Sequence, residues 1–277
     1  MAGHLNANED TTSIVNTDTT AGTSVAMATM PLLTPPYGYG EIVPLNRTHN
    51  LKLSAISSDQ RLTPSFCRNI NAISVVIGEL NIAARDYPIV FVSGPVGFMP
   101  VAILGLLDRQ NLFVDDSGQW DPLTYIPAYV RRYPFCIARV GDDQTLRNQR
   151  VVCVERTCID PDGSRLFDAQ GMPSAQWVEI EQLLQQYEDE LDDTSQMCAI
   201  FSKLGLFSPF QFQIKQDSNT MLTIQDMHRI DLAAFEALKP ASHKALVSKG
   251  LMGPIYTHFN SLENFGRLYQ RALKSKH

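Results

Sequence analysis

No lysine or arginine precedes Arg47. A cleaved secretory signal needs a cationic start, and Glu9 and Asp10 make this N-terminus fit that pattern worse still, so export by the usual cleaved signal is not expected. Long apolar runs are missing too. The longest, Phe98 to Leu107, contains a proline and a glycine and is about half of the roughly 20 residues needed to span a bilayer, which excludes membrane insertion. Basic charge is short. A net charge of -6 and a pI near 5.5 leave no excess of cations to neutralise phosphates, so nucleic acid is not an expected partner, although a local basic patch stays open. Cysteine is sparse and odd in number: five, at irregular positions, read as reduced, mostly buried thiols and not as a disulfide scaffold. A soluble, cytoplasmic protein is the expectation, with non-classical export left open.

Standard chemical motifs are lacking as well. There is no G-x-x-x-x-G-K-[ST] and no G-x-G-x-x-G, and Gly38-Tyr39-Gly40 has neither the strand before it nor the helix after it that would give a glycine pair meaning. No G-x-S-x-G marks a nucleophile, and Cys136 and Cys153 sit in apolar strands where a thiol is ordinary packing. Cys153 and Cys158 form no second knuckle, so a zinc site is not supported. No cofactor is expected.

What is present is a well-marked core. Arg85-Asp86-Tyr87-Pro88-Ile89 and Arg131-Arg132-Tyr133-Pro134-Phe135 share one grammar: a helix (Glu79 to Arg85, Pro127 to Arg132), a proline that disfavours helical geometry at the tyrosine before it, then a β-prone run. Both junctions are expected to aim Ile89 and Phe135 into the same core. Ile42 to Leu45 reads as an edge strand, Leu51, Leu53 and Ile56 as a half-buried one. Ile89 to Val92 and Val101 to Leu106 pair antiparallel across Gly94-Pro95-Val96-Gly97, Asn111 to Val114 adds a strand, and Val151 to Val154 another. From Ala175 to Leu204 the period becomes helical, with Trp177, Ile180, Leu184, Tyr187 and Leu191 on one stripe, acidic residues elsewhere as a solvated face, and a break near Asp192. Phe207 to Ile214 and Met221 to Ile224 form a further pair across Asp217-Ser218-Asn219, before helices at Leu232 to Leu238 and Pro254 to Leu273. The predicted architecture is α+β: a disordered leader over 1-30, too polar to repay its ordering entropy, and one domain over 31-277 on a mainly antiparallel sheet.

A polar and aromatic constellation surrounds that core: Tyr87, Asp115, Asp116, Trp120, Tyr125, Tyr129, Arg131, Arg132 and Tyr133. Guanidinium binds carboxylates bidentately and tyrosine supplies area with a polar tip, so Tyr87, Asp115, Trp120, Tyr129, Arg131, Arg132 and Tyr133 are candidate binding residues. The plainer role of an Arg-Arg pair is to stabilise its own helix end. Adjacent helical residues lie about 100° apart, so one arginine is expected to pair inside the fold, with Asp115 or Asp116, while the other reaches a cleft beside Trp120 or Tyr129. The Pro-Tyr-Gly segment at 35 to 40 could drape over a partner or over the fold itself. His228, Asp231 and His258 supply the ligand types of a non-haem iron triad, at H-x-x-D spacing instead of H-x-D.

Tyr87-Pro88-Ile89-Val90-Phe91, Asn111 to Asp115 with Gly118 and Trp120, Tyr125-Ile126-Pro127-Ala128-Tyr129 running on to Tyr133-Pro134-Phe135, and His258 to Phe265 resemble the bacterial SapC-like family. The resemblance runs from about Tyr37 to Leu273. It implies a protein whose family is named for a bacterial surface layer and found beside flavin-dependent halogenase-like, cupin-like and outer-membrane-receptor genes. It brings no established catalytic residues. The functional expectation is a non-enzymatic accessory that recognises a protein or peptide-like partner; the alternative is a metal-dependent oxygenase-like enzyme using His228, Asp231 and His258.

Overall fold

The computed structural model describes residues 34-53, 61-140, 149-215 and 221-275. The leader at 1-30, Ile56 and the Asp217-Ser218-Asn219 junction lie outside the described residues. In chain order the strands are β1 (Ile42–Pro44), β2 (Asn50–Leu51), β3 (Ala72–Ser74), β4 (Ile89–Gly94), β5 (Gly97–Ile103), β6 (Phe135–Val140), β7 (Gln149–Glu155), β8 (Ser164–Arg165), β9 (Phe207–Lys215) and β10 (Met221–Ile230). The helices are α1 (Leu80–Ala83), α2 (Ala128–Arg131), α3 (Ala175–Lys203), α4 (Leu232–Glu236), α5 (Pro240–Ser248), α6 (Met252–Ser261) and α7 (Asn264–Lys274).

The strands form a five-stranded sheet in the order β3-β5-β4-β10-β9, a three-stranded sheet in the order β1-β7-β6, and the small pair β2-β8. All their pairings are antiparallel. The β4-β5 hairpin turns through Pro95-Val96, and Gly97 closes it at φ 113°, a value L side chains rarely adopt. Pro44 lies on an edge strand, where its missing N–H costs no ladder bond. The long helix α3 starts where the Ser174 hydroxyl accepts the Trp177 N–H at 3.1 Å, and it packs on both β5 and β6. It therefore ties the two larger sheets into one α+β domain. Among the described residues no helix is long and apolar enough to cross a membrane.

The two Tyr-Pro junctions do carry the chain from helix to strand, and both prolines lie outside helices. Their cores differ. Ile89 packs in the main core, whereas Phe135 belongs to a second cluster with Leu51, Val154, Trp177 and Leu184, because β4 and β6 belong to different sheets. Four further expectations need correction. Asn111 to Val114 is no strand: the Asn111 side chain accepts the Phe113 N–H and donates to the Cys67 carbonyl, and only an isolated Val114–Trp120 bridge forms. The helix expected at Glu79 to Arg85 is a 3-10 turn, Ile77–Glu79, followed by the short α1. Helix α3 runs unbroken past Asp192, since a helical break needs a breaker residue and none is there. The closing helix expected at Pro254 to Leu273 is two helices, α6 and α7, separated near Asn264, whose amide donates to the Ala84 and Tyr87 carbonyls, and α5 precedes them.

Candidate functional site

The site begins with a buried carboxylate. Glu79 is 4% exposed and takes three donors: the Val76 N–H at 3.0 Å, the Ala128 N–H at 2.7 Å and the Tyr125 hydroxyl at 2.9 Å. The Ala128 bond places a carboxylate on the first turn of α2, where backbone N–H groups lack partners. Burial raises the Glu79 pKa above the usual carboxylate value, and the three donors and the Arg131 charge offset only part of that. Tyr125 is fixed from behind, its N–H donating to Asp86 at 2.8 Å.

The two adjacent arginines of α2 and its end do separate. Arg132 is 7% exposed, and its guanidinium lies 4.4 Å from the Tyr129 ring and 4.4 Å from the Tyr187 ring, with Glu188 at 3.9 Å. The internal partner is thus Glu188 of α3, not Asp115 or Asp116. Those two belong to an exposed turn: Asp115 accepts from Ser117 and Gln119, and the Ser117 hydroxyl bond holds its carboxyl below the usual range. The acidic face of α3 is accordingly not all solvated, since Glu188 is buried. Arg131 points the other way. Its Nε donates to the Ile126 carbonyl at 3.1 Å and its Nη2 to the Tyr125 hydroxyl at 2.9 Å, which in turn donates to Glu79. Among the described residues no ion pair involves Arg131.

Arg131 borders a cleft of about 230 Å³ between the 3-10 turn, α2 and α3. Glu79, Tyr125, Gln186, Tyr187 and Glu190 supply its polar groups, Ile82 and Leu183 apolar ones. Gly78 shapes the rim, because a Cβ there would overlap the Glu190 carboxylate. The cleft is not beside Trp120 or Tyr129, as expected from sequence, since both rings are buried.

The sequence model of SapC matches residues 49-268, most of the chain. The chain belongs to the SapC family. Nothing among curated proteins and nothing among solved structures matches it. In this SapC chain the remaining candidates are framework. Tyr87 is fully buried, donating its hydroxyl to the Tyr125 carbonyl and accepting the Trp120 indole N–H at 3.1 Å. Tyr129 donates to the Tyr37 carbonyl at 2.8 Å and Tyr39 to the Phe135 carbonyl at 2.9 Å, so the Pro-Tyr-Gly segment drapes over its own fold. The Tyr133 hydroxyl lies 3.6 Å from the Cys158 sulfur. Burial pushes the Cys67, Cys136 and Cys198 thiols up to about 12, which suits packing and not nucleophilic attack.

The triad candidates are engaged separately. His258 accepts the Ile230 N–H on Nε2 at 3.0 Å and faces the Ile89 carbonyl with Nδ1 at 2.9 Å, so both ring nitrogens are used. Burial lowers its pKa to about 4. Asp231 caps α4 by accepting the Ala234 N–H at 2.9 Å, and His228 sits edge-on to Phe98. Among the described residues no group of three His, Cys, Asp or Glu side chains is placed to hold a metal ion.

Glu79, Gln186 and Glu190 were missed in the sequence. Leu183, Gln186, Tyr187 and Glu190 fall at i, i+3, i+4 and i+7, a legible helix face adjoining the apolar stripe. Glu79 carried no such signal, because two of its three donors lie 46 and 49 residues away.

Proposed function

We propose that this SapC chain is a non-enzymatic accessory of a bacterial surface-layer or halogenase- and receptor-associated system, and that it recognises a protein or peptide-like ligand at the Arg131 cleft. The observation that carries this reading is the state of Arg131: an outward guanidinium, oriented by Ile126 and Tyr125 yet in no ion pair with a carboxylate among the described residues, at the edge of a cleft. Two anchoring bonds leave donors on Nη1 and Nη2 for a carboxylate, in a direction set before the ligand arrives. Such preorganisation reduces the entropy lost on binding. Recognition of a carboxylate needs no more than this.

The test is comparative capture. Immobilised wild type and Arg131→Ala are exposed to a lysate of the native host, and retained material is quantified by mass spectrometry. A ligand held by wild type and lost from Arg131→Ala at unchanged melting temperature supports the reading. Equal retention by both proteins overturns it.

A further inference from the structure

The Arg131 cleft carries opposite charges that do not neutralise each other. Arg131 stands on α2 and Glu190 on α3, both line the cleft, and no ion pair joins them. Each is held from its own side. Arg131 is fixed by Ile126 and Tyr125, and Glu190 by the Gln186 amide at 2.8 Å, while the absence of a side chain at Gly78 lets the Glu190 carboxylate lie against that turn. Glu79 adds a second acidic group whose oxygens are already engaged by three donors.

This charge pattern selects among ligands. One that brings only a carboxylate gains Arg131 but meets Glu190 and Glu79. One that brings only an ammonium gains Glu190 but meets Arg131. A ligand with both groups satisfies both walls at once, and like-charge placement penalises the other two. Size narrows the class further, since about 230 Å³ is below the roughly 300–1,000 Å³ of clefts that take drug-sized molecules. Ile82 and Leu183 give an aliphatic portion somewhere to pack.

We infer that the cleft binds a free α-amino-acid group, a zwitterion whose carboxylate lies on Arg131 and whose ammonium lies on Glu190. This rests on the reading of the Arg131 cleft as the binding site and narrows its ligand from a protein or peptide to a single free amino acid. The probes are the common free amino acids, each titrated into the full chain by calorimetry, followed by the N-acetyl derivative and the amide of any that binds. At least one free amino acid binds wild type, and both derivatives bind at least about tenfold more weakly, as do Arg131→Ala and Glu190→Gln with the free form. A thermal melt of each variant establishes that it is folded. If the N-acetyl form binds as well as the free form and Glu190→Gln is without effect, the cleft is a carboxylate site: the functional reading stands and the zwitterion falls. Binding that survives both substitutions lies elsewhere and overturns the inference. So does no binding by any amino acid, in which case the capture comparison decides the functional reading on its own.

Discussion

Replacing Arg132 with alanine removes a cation from between two aromatic rings. The guanidinium is 7% exposed, stacks at 4.4 Å on Tyr129 and on Tyr187, lies 5.9 Å from Tyr39, and has Glu188 at 3.9 Å. A desolvated cation–π contact contributes about 2 kcal/mol, and breaking a buried ion pair costs roughly 3–5 kcal/mol. These contributions share one group and do not add, so about 3 kcal/mol is the expected loss. For a domain of this size each kcal/mol shifts the melting temperature by roughly 2–4 °C, giving a fall of about 6–12 °C for Arg132→Ala. Arg132→Lys is the sharper variant. It keeps the charge but not the flat guanidinium face, and should recover less than half of the loss. Arg131→Ala, at an exposed position one residue away, should stay within about 0.5 kcal/mol of wild type. Calorimetric melts of the three variants provide the assay. Arg132→Ala melting within about 1 °C of wild type, or the two alanine variants falling equally, would refute the division of roles between these arginines.

Tyr125→Phe removes the hydroxyl that joins Arg131 to Glu79, and should cost about 1–2 kcal/mol in urea titrations while weakening ligand capture. His258 should make stability depend on acid. Its folded pKa of about 4 lies below the ordinary histidine value of about 6.5, so the unfolded chain takes up the proton first as pH falls. The contribution is complete above about pH 6.5 and lost on the way down to about pH 4, by up to about 3 kcal/mol. His258→Gln keeps one donor and one acceptor, and denaturant titrations across that range should show a flatter pH slope for it than for wild type. Gly78→Ala should displace the Glu190 carboxylate, costing under about 1 kcal/mol of stability, and calorimetry should show amino-acid affinity reduced as in Glu190→Gln.

Local signals made much of the fold legible. Tyr-Pro junctions, the glycine-bounded hairpin and the helical period of α3 depend on neighbours a few residues apart, and the structure places strands and helix there. The partition into two sheets was not legible, because β4 and β6 are equally apolar and only their long-range partners, β10 and β7, distinguish them. Asn111 to Val114 misled for a related reason: its β-prone composition is overridden by a side-chain amide that satisfies the backbone without a ladder. At the site, a 100° step between adjacent helical residues was enough to separate Arg131 from Arg132. It could not identify Glu188 or Glu190, which arrive on α3 from far along the chain. Tyr87, Tyr129 and Trp120 have the composition of a binding surface, yet their polar atoms serve carbonyls and hydroxyls inside the fold.

Hydrogen–deuterium exchange on the full chain, with and without the material that wild type captures, tests most directly where this SapC protein binds. The account predicts added protection in residues 77–82, 125–131 and 183–190, the three segments around the Arg131 cleft. Protection confined to other segments, such as α4 to α6, with none in these three, would contradict it.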